Sequence, residues 1–184
     1  MHIVVTPRLT LRPPLEVDVD AIFSGIASGE VRRMLSGPPH PYRREHAASF
    51  VQECMRDREA DHFTVHRDRL VGIVGVRRRK ADGQPDLGYW LAQSAWSQGI
   101  ATEAAMAVLR HVFATRGHER IVSGALSDNP ASLRVLSRLG FEDEGERVPE
   151  FVAARGCEVE ATRVTLTRER FHALHGRADE RVAA

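Results

Sequence analysis

The chain lacks most of the features that assign a protein to a class at first reading. It has two cysteines, Cys54 and Cys157, far apart in sequence and without metal-ligand spacing. That argues for a reduced protein, and neither thiol has a neighbour to activate it as a nucleophile. No segment approaches the roughly 18 uninterrupted apolar residues of a membrane-spanning helix. The opening "MHIVVTPRL" has no basic region followed by a long apolar run, so no secretory leader is expected. The net charge is only +1, which gives no support to a nucleic-acid or anionic-membrane partner. Gly-x4-Gly-Lys-Ser/Thr and Gly-x-Gly-x-x-Gly are both absent, which argues against ATP and NAD as ligands. There is no internal repeat, linker or low-complexity block. With 42% hydrophobic and 28% charged residues, the 184-residue chain reads as one cytoplasmic domain with a sizeable core.

What is present is a sequence of short, well-marked elements. "RLTLR" (Arg8 to Arg12) alternates as a half-buried strand does. Asp18 reads as the cap of a helix carrying Val19, Ile22, Phe23 and Ile26. Three prolines make "SGPPHPY" a loop. From Arg44 to Glu59, Ala47, Phe50, Val51, Cys54 and Met55 fall on one helical stripe. "HFTVHRDRLVGIVGVRR" predicts two strands around a turn at Arg67 to Arg69, and "LGYWLA" predicts another strand. A helix follows from about Ile100, then the strand "ERIVSGAL". The next helix has Asp128 or Asn129 as cap, Pro130 in its first turn and Gly140 as its stop. A hairpin turning at Ala154 to Gly156 closes the domain, taken as residues 1–175, and residues 176–184 are expected to form a flexible tail. The order predicts an α/β domain with a mixed sheet.

Between the "LGYWLA" strand and the helix stands "WSQGIAT". A helix that starts at a glycine offers unpaired N–H groups and the positive end of its dipole to an anion, without needing a lysine. An ordinary strand-to-helix connection has the same appearance, so the loop alone leaves both readings open.

"DLGYWLAQSAWSQGIATEAA", followed later by "DNPASLRVLSRLGFEDEG", resembles the GNAT superfamily of acetyl-CoA-dependent N-acetyltransferases. It is most similar to the Rim-like branch, the ribosomal-protein-alanine acetyltransferases. "TPRLTLRPPLEVDVDAIF" and "ATRVTLTRERF" resemble that branch's opening and closing segments, so the similarity covers nearly the whole chain. It implies a mostly antiparallel twisted sheet with one splayed parallel pair, "LGYWLA" and "RIVSGAL", and flanking helices. Acetyl-CoA would be the co-substrate and no metal would be needed. Its pantetheine arm would pair with backbone near Tyr89 to Ala92, through Trp90, Leu91 and Ala92. Its pyrophosphate would rest on the amides of Gln98, Gly99, Ile100, Ala101 and Thr102. Trp96 departs from the family pattern, which has Gln or Arg there.

The resemblance also implies roles at single positions. A backbone N–H at Leu91 or its neighbour would stabilise the oxyanion. Ser132 would protonate the departing thiolate; a helix-capping serine is the plain alternative. Asn129 would bond the pantetheine, or act as the N-cap, or both. Asp86 would take the amine proton through water, or be a solvated turn residue. Glu103 reads mainly as a carboxylate that offsets the helix dipole. Tyr89 and Trp90 alternate on their strand, so at most one lines the acceptor cleft; both could equally be core.

Other features carry less. His62 and His66 lie on a predicted strand, where four residues span about 13 Å, too far for one zinc. His172 and His175 share a helix face but lack a third ligand. "RRRK" (Arg77 to Lys80) reads as a solvated hairpin end, and no aromatic platform accompanies it for RNA. The expected activity is N-acetyl transfer to a primary amine, either a protein N-terminus or a small-molecule amine, by a monomer or homodimer. The alternative is an acyl-CoA-binding domain without catalysis.

Overall fold

Leu70–Arg78 is almost unbroken apolar sequence up to its two terminal arginines, and such a run suits a strand covered on both faces. It forms β4, near the centre of an eight-stranded sheet. The computed structural model describes residues 2–176. In chain order the elements are β1 (Val4–Val5), β2 (Thr10–Arg12), α1 (Val19–Ala27), α2 (Gly29–Arg32), α3 (Arg44–Arg56), β3 (Asp61–His66), β4, β5 (Pro85–Leu91), α4 (Ile100–Thr115), β6 (Arg120–Leu126), α5 (Pro130–Leu139), β7 (Glu142–Val152), β8 (Cys157–Thr167) and α6 (Arg168–His175). The strands lie in the order β1-β2-β3-β4-β5-β6-β8-β7. Every neighbouring pair is antiparallel except β5 and β6, which run parallel.

Alternation along the strands divides the side chains between two helical layers. Ile73 and Trp90 face α1 and α3, where they pack with Val19, Ile22, Ile26 and Val51. Val74, Leu87 and Leu91 face α4, α5 and α6 and join Ile100, Val108, Leu109, Val112, Leu136 and Phe171 in the larger core. Fully burying a side chain such as Leu109 contributes about 1.5–3 kcal/mol, so α4 is held by packing more than by its intrinsic helix propensity. A third, small cluster, Leu126, Val152 and Ala161, seats the β7–β8 hairpin on β6.

Several expectations need correction. Asp18 holds the N-cap position of α1, as expected, but its side chain makes no cap bond to that helix: it ends a short 3-10 turn (Glu16–Asp18) and accepts from Leu15 N–H at 2.8 Å. Its buried carboxylate pairs with both terminal nitrogens of Arg12 at 2.7 Å. Burial alone would raise its pKa, but these bonds outweigh burial and hold it below the ordinary value. Met55 is 54% exposed and off the buried stripe, because α3 turns its Ala47 and Val51 side inward and ends at Arg56. The strand β1 and the short helix α2 have no clear periodic signal, and α6 begins at Arg168, inside the closing segment "ATRVTLTRERF". The expected tail falls, apart from Gly176, outside the described residues. No helix among the described residues is long and apolar enough to cross a membrane.

Candidate active site

Strands β5 and β6 pair only at Asp86↔Val122 and Leu87↔Ser123, and then part. Ser123 Oγ donates to Leu87 O at 2.8 Å and pins the base of this fork. Ala92 N–H donates to Val71 O at 2.8 Å, so the backbone of Ala92 faces β4. By the alternation of an antiparallel ladder, Trp90 also turns its backbone to β4, while Tyr89 and Leu91 turn theirs towards β6. Because pairing with β6 has already stopped, the N–H groups of Tyr89 and Leu91 point into the fork without a strand partner. Of the four residues expected along a pantetheine arm, these two present backbone donors to the fork. The Leu91 carbonyl is taken by the Trp96 indole N–H at 2.8 Å, so the departure at Trp96 has a structural role that the sequence did not reveal.

The loop that follows is built for close approach. Gly99 takes φ +75°, a conformation glycine adopts without strain, and it forms the N-cap of α4. None of the N–H groups of Gln98, Gly99, Ile100, Ala101 and Thr102 has a hydrogen-bond partner among the described residues; the first bond of the helix runs from Glu103 N–H to Gly99 O. Basic side chains that the sequence reading passed over surround the loop. Arg8 donates to Gln98 O at 2.9 Å and Arg67 to Gln98 Oε1 at 2.7 Å. A cavity of about 340 Å³ beside the loop is lined by Arg67, Arg69, Ser94, Gln98 and Ile100, among others. Glu103 does more than offset the dipole, since it accepts from Thr6 Oγ1 at 2.6 Å and pairs with Arg8. It thereby ties the N-terminal strands to the loop.

Ser132 sits in the first turn of α5. Its N–H donates to the Asn129 side chain at 3.1 Å, which makes Asn129 the N-cap. The Asn129 side-chain N–H groups make no bond among the described residues, so capping leaves them available. The Ser132 hydroxyl shares a hydrogen bond with the Tyr89 hydroxyl at 2.7 Å. Sequence reasoning had weighed Tyr89 only for the acceptor cleft or the core; it lies on the α4–α5 side of the sheet. Burial pushes its hydroxyl up to about 12, against the lowering effect of the Ser132 bond, so it stays protonated at neutral pH. No sequence signal links positions 89 and 132, because only the fold brings them together.

Trp90 and Asp86 lie on the opposite face. The Trp90 ring covers Gly25 of α1, where a Cβ would meet it at 2.6 Å. Burial pushes the Asp86 carboxyl above its ordinary pKa, against the pull of Arg79, Arg77 and Arg163. Arg155, at the tip of the β7–β8 hairpin, donates to Arg33 O at 2.8 Å and pairs with Asp128 at 2.5 Å. The weaker candidates resolve into structural roles. Arg78 and Arg79 pair with Glu59 and Asp82, His62 and His66 lie on β3, and His175 sits within hydrogen-bond reach of Leu139 O. Both cysteines are free thiols, and no group of three or more metal-ligating side chains occurs among the described residues.

A splayed parallel pair followed by a glycine-started helix is the arrangement that the family resemblance implied. Residues 8–142 match the acetyltransferase (GNAT) domain model, and the chain belongs to this family of N-acetyltransferases. It is 29% identical over 150 residues to an uncharacterized N-acetyltransferase of Bacillus subtilis, YoaA, covering 78% of this chain and 84% of that one. Among solved structures, Mycobacterium smegmatis RimJ, in complex with CoA-disulfide, superposes with a TM-score of 0.75 at 23% identity, covering 96% of this chain and 90% of that one. The spermidine N-acetyltransferase of Vibrio cholerae, in complex with CoA and spermine, gives 0.76 at 16% identity, covering 90% and 99%. At these identities the superpositions establish the shared fold.

Proposed function

We propose that the protein transfers an acetyl group from acetyl-CoA to a primary amine by direct attack within a ternary complex. The observation that carries this reading is the early end of β5–β6 pairing, which leaves the Tyr89 and Leu91 N–H groups unpaired inside the fork. These donors fit an extended amide-bearing arm and the oxyanion of an attacked thioester. The unpaired amides of Gln98 to Thr102 fit a diphosphate, with Arg8 and Arg67 at its edge. The Asn129 side-chain amide is free to donate to the arm.

The chemistry assigned to the residues balances. The neutral amine is the nucleophile, and Asp86 accepts through water the proton that its nitrogen loses on attack; the raised pKa of Asp86 brings it nearer to that task than an exposed aspartate. The amine nitrogen bonds to the thioester carbonyl carbon while Leu91 N–H holds the developing oxyanion. As the carbon–sulfur bond breaks, Ser132 gives its hydroxyl proton to the thiolate and takes one from Tyr89. Tyr89 is refilled from solvent, to which Asp86 releases its own proton. The products are an N-acetyl amide and CoA.

The test is thiol release from acetyl-CoA across a panel of primary amines, alongside calorimetric titration of acetyl-CoA alone. Amine-dependent CoA release supports transfer. Binding of acetyl-CoA with no release for any amine would establish the alternative, an acyl-CoA-binding domain without catalysis.

A further inference from the structure

Immediately beyond the last β5–β6 pair, each strand carries a glycine on the Asp86 face of the sheet, Gly88 on β5 and Gly124 on β6. Gly88 is exposed although its strand is central, and nothing lies within 4 Å of where its Cβ would be. The fork is therefore open to this face. Arg163 of β8 stands directly opposite Gly124 in register, and its guanidinium lies across that glycine. A Cβ at position 124 would come within 3.0 Å of Arg163 Nη1, so the absence of a side chain there makes room for the arginine. Glu150 of β7 holds Nη2 and balances the charge. Nη1 makes no hydrogen bond among the described residues, although the side chain is only 21% exposed. Nη1 is not among the solvent-excluded nitrogens, so in a side chain that is mostly covered it remains a reachable, unpaired donor beside the cleft, suited to a ligand.

Resting on the acetyl-transfer reading, we infer that Arg163 determines acceptor specificity: its Nη1 donates to the oxygen of a carbonyl attached to the amine-bearing carbon, selecting α-amino amides over amines that lack that oxygen. With the reacting amine held between the thioester and Asp86, an oxygen three bonds from that nitrogen falls on the Arg163 side. A neutral carbonyl suits the position better than a free carboxylate, because Glu150 already neutralises the guanidinium and Asp86 adds a second negative charge nearby.

The experiment compares kcat/KM for alaninamide, alanine and propylamine in the wild type, Arg163→Lys and Gly124→Ala. Arg163→Lys keeps the charge. Gly124→Ala keeps the arginine but displaces its guanidinium, so a folding defect in one variant does not remove the test. The wild type should prefer alaninamide over propylamine by at least about tenfold, as one charge-assisted bond allows. Both variants should raise KM for alaninamide and leave propylamine nearly unchanged. Equal wild-type rates on alaninamide and propylamine, or equal losses on both in the variants, would overturn the inference while leaving acetyl transfer standing. A preference for alanine would overturn the carbonyl assignment. Absence of turnover with all acceptors, despite acetyl-CoA binding, would overturn both readings.

Discussion

The Tyr89–Ser132 contact gives the sharpest test of how the thiolate is protonated. Tyr89→Phe removes one hydroxyl from a 2.7 Å bond and leaves the ring, which packs against the main core, in place. A hydrogen bond of this kind is worth about 0.5–1.5 kcal/mol net, so kcat should fall roughly 2- to 12-fold if the bond supports the transition state. Ser132→Ala removes the proton donor itself and should cost about 10²–10⁴-fold, the usual range for a positioned acid. The two effects should not add. If Tyr89 acts only through Ser132, the double variant should be no slower than Ser132→Ala alone, and the coupling energy should equal the whole Tyr89→Phe effect. Steady-state CoA release at saturating acetyl-CoA measures all four corners. Because Tyr89 titrates at about 12, Tyr89→Phe should leave the shape of the rate–pH profile unchanged below roughly pH 10. Additive losses would refute the relay, as would an unchanged Tyr89→Phe rate beside a crippled Ser132→Ala.

Three further outcomes are expected. Asp86→Asn should lower kcat/KM by about 10²-fold or more. In the wild type, activity should fall with acidification through a pKa above the ordinary carboxylate range, since the base works only when deprotonated and burial raises its pKa; the variant should lose that limb. Gly72→Ala should lower the melting temperature by several degrees, on the order of 1–3 kcal/mol. An added Cβ would sit 2.3 Å from the Trp90 carbonyl and 2.6 Å from the Leu91 side chain, and the backbone oxygen cannot retreat without parting β4 from β5; an unchanged melt by fluorescence would contradict this. Asp61 is half-buried, which alone would raise its pKa, yet the His111 imidazole 3.7 Å away and hydrogen bonds from Arg116 hold it down at about 2. Its folded pKa is depressed, so its contribution is complete above the unfolded value near 3.9 and is lost as pH falls towards 2; denaturant melts of Asp61→Asn across that window should show a weaker pH dependence than the wild type.

The local rules of the chain were enough for the glycine-started turn before α4 and the cap of α5. A glycine at a helix start and an Asn-Pro pair carry their conformations with them, and the structure places Gly99 and Asn129 accordingly. The same rules missed where several independent forces competed. Asp18 takes the cap position because it precedes an apolar stripe, but Arg12 of β2, half-buried beside it, claims its carboxylate in place of the helix amides. Met55 followed the helical period, but α3 lies against the sheet along a narrower seam than the period allowed. Trp96 looked out of place because its partner, the Leu91 carbonyl, is fixed only once the strand has left its neighbour.

By itself the sequence determined the class: which segments are strands and helices, where the chain turns, and that a helix starts at a glycine without a lysine beside it. Those features follow from periodicity and backbone preference, which act over a few residues. Tertiary structure decided the site: that β5 and β6 stop pairing after two positions, that Tyr89 of β5 meets Ser132 of α5, and that Arg163 of β8 lies across Gly124. Each joins residues on different elements, and such distances are set by how sheet and helices pack around a shared core.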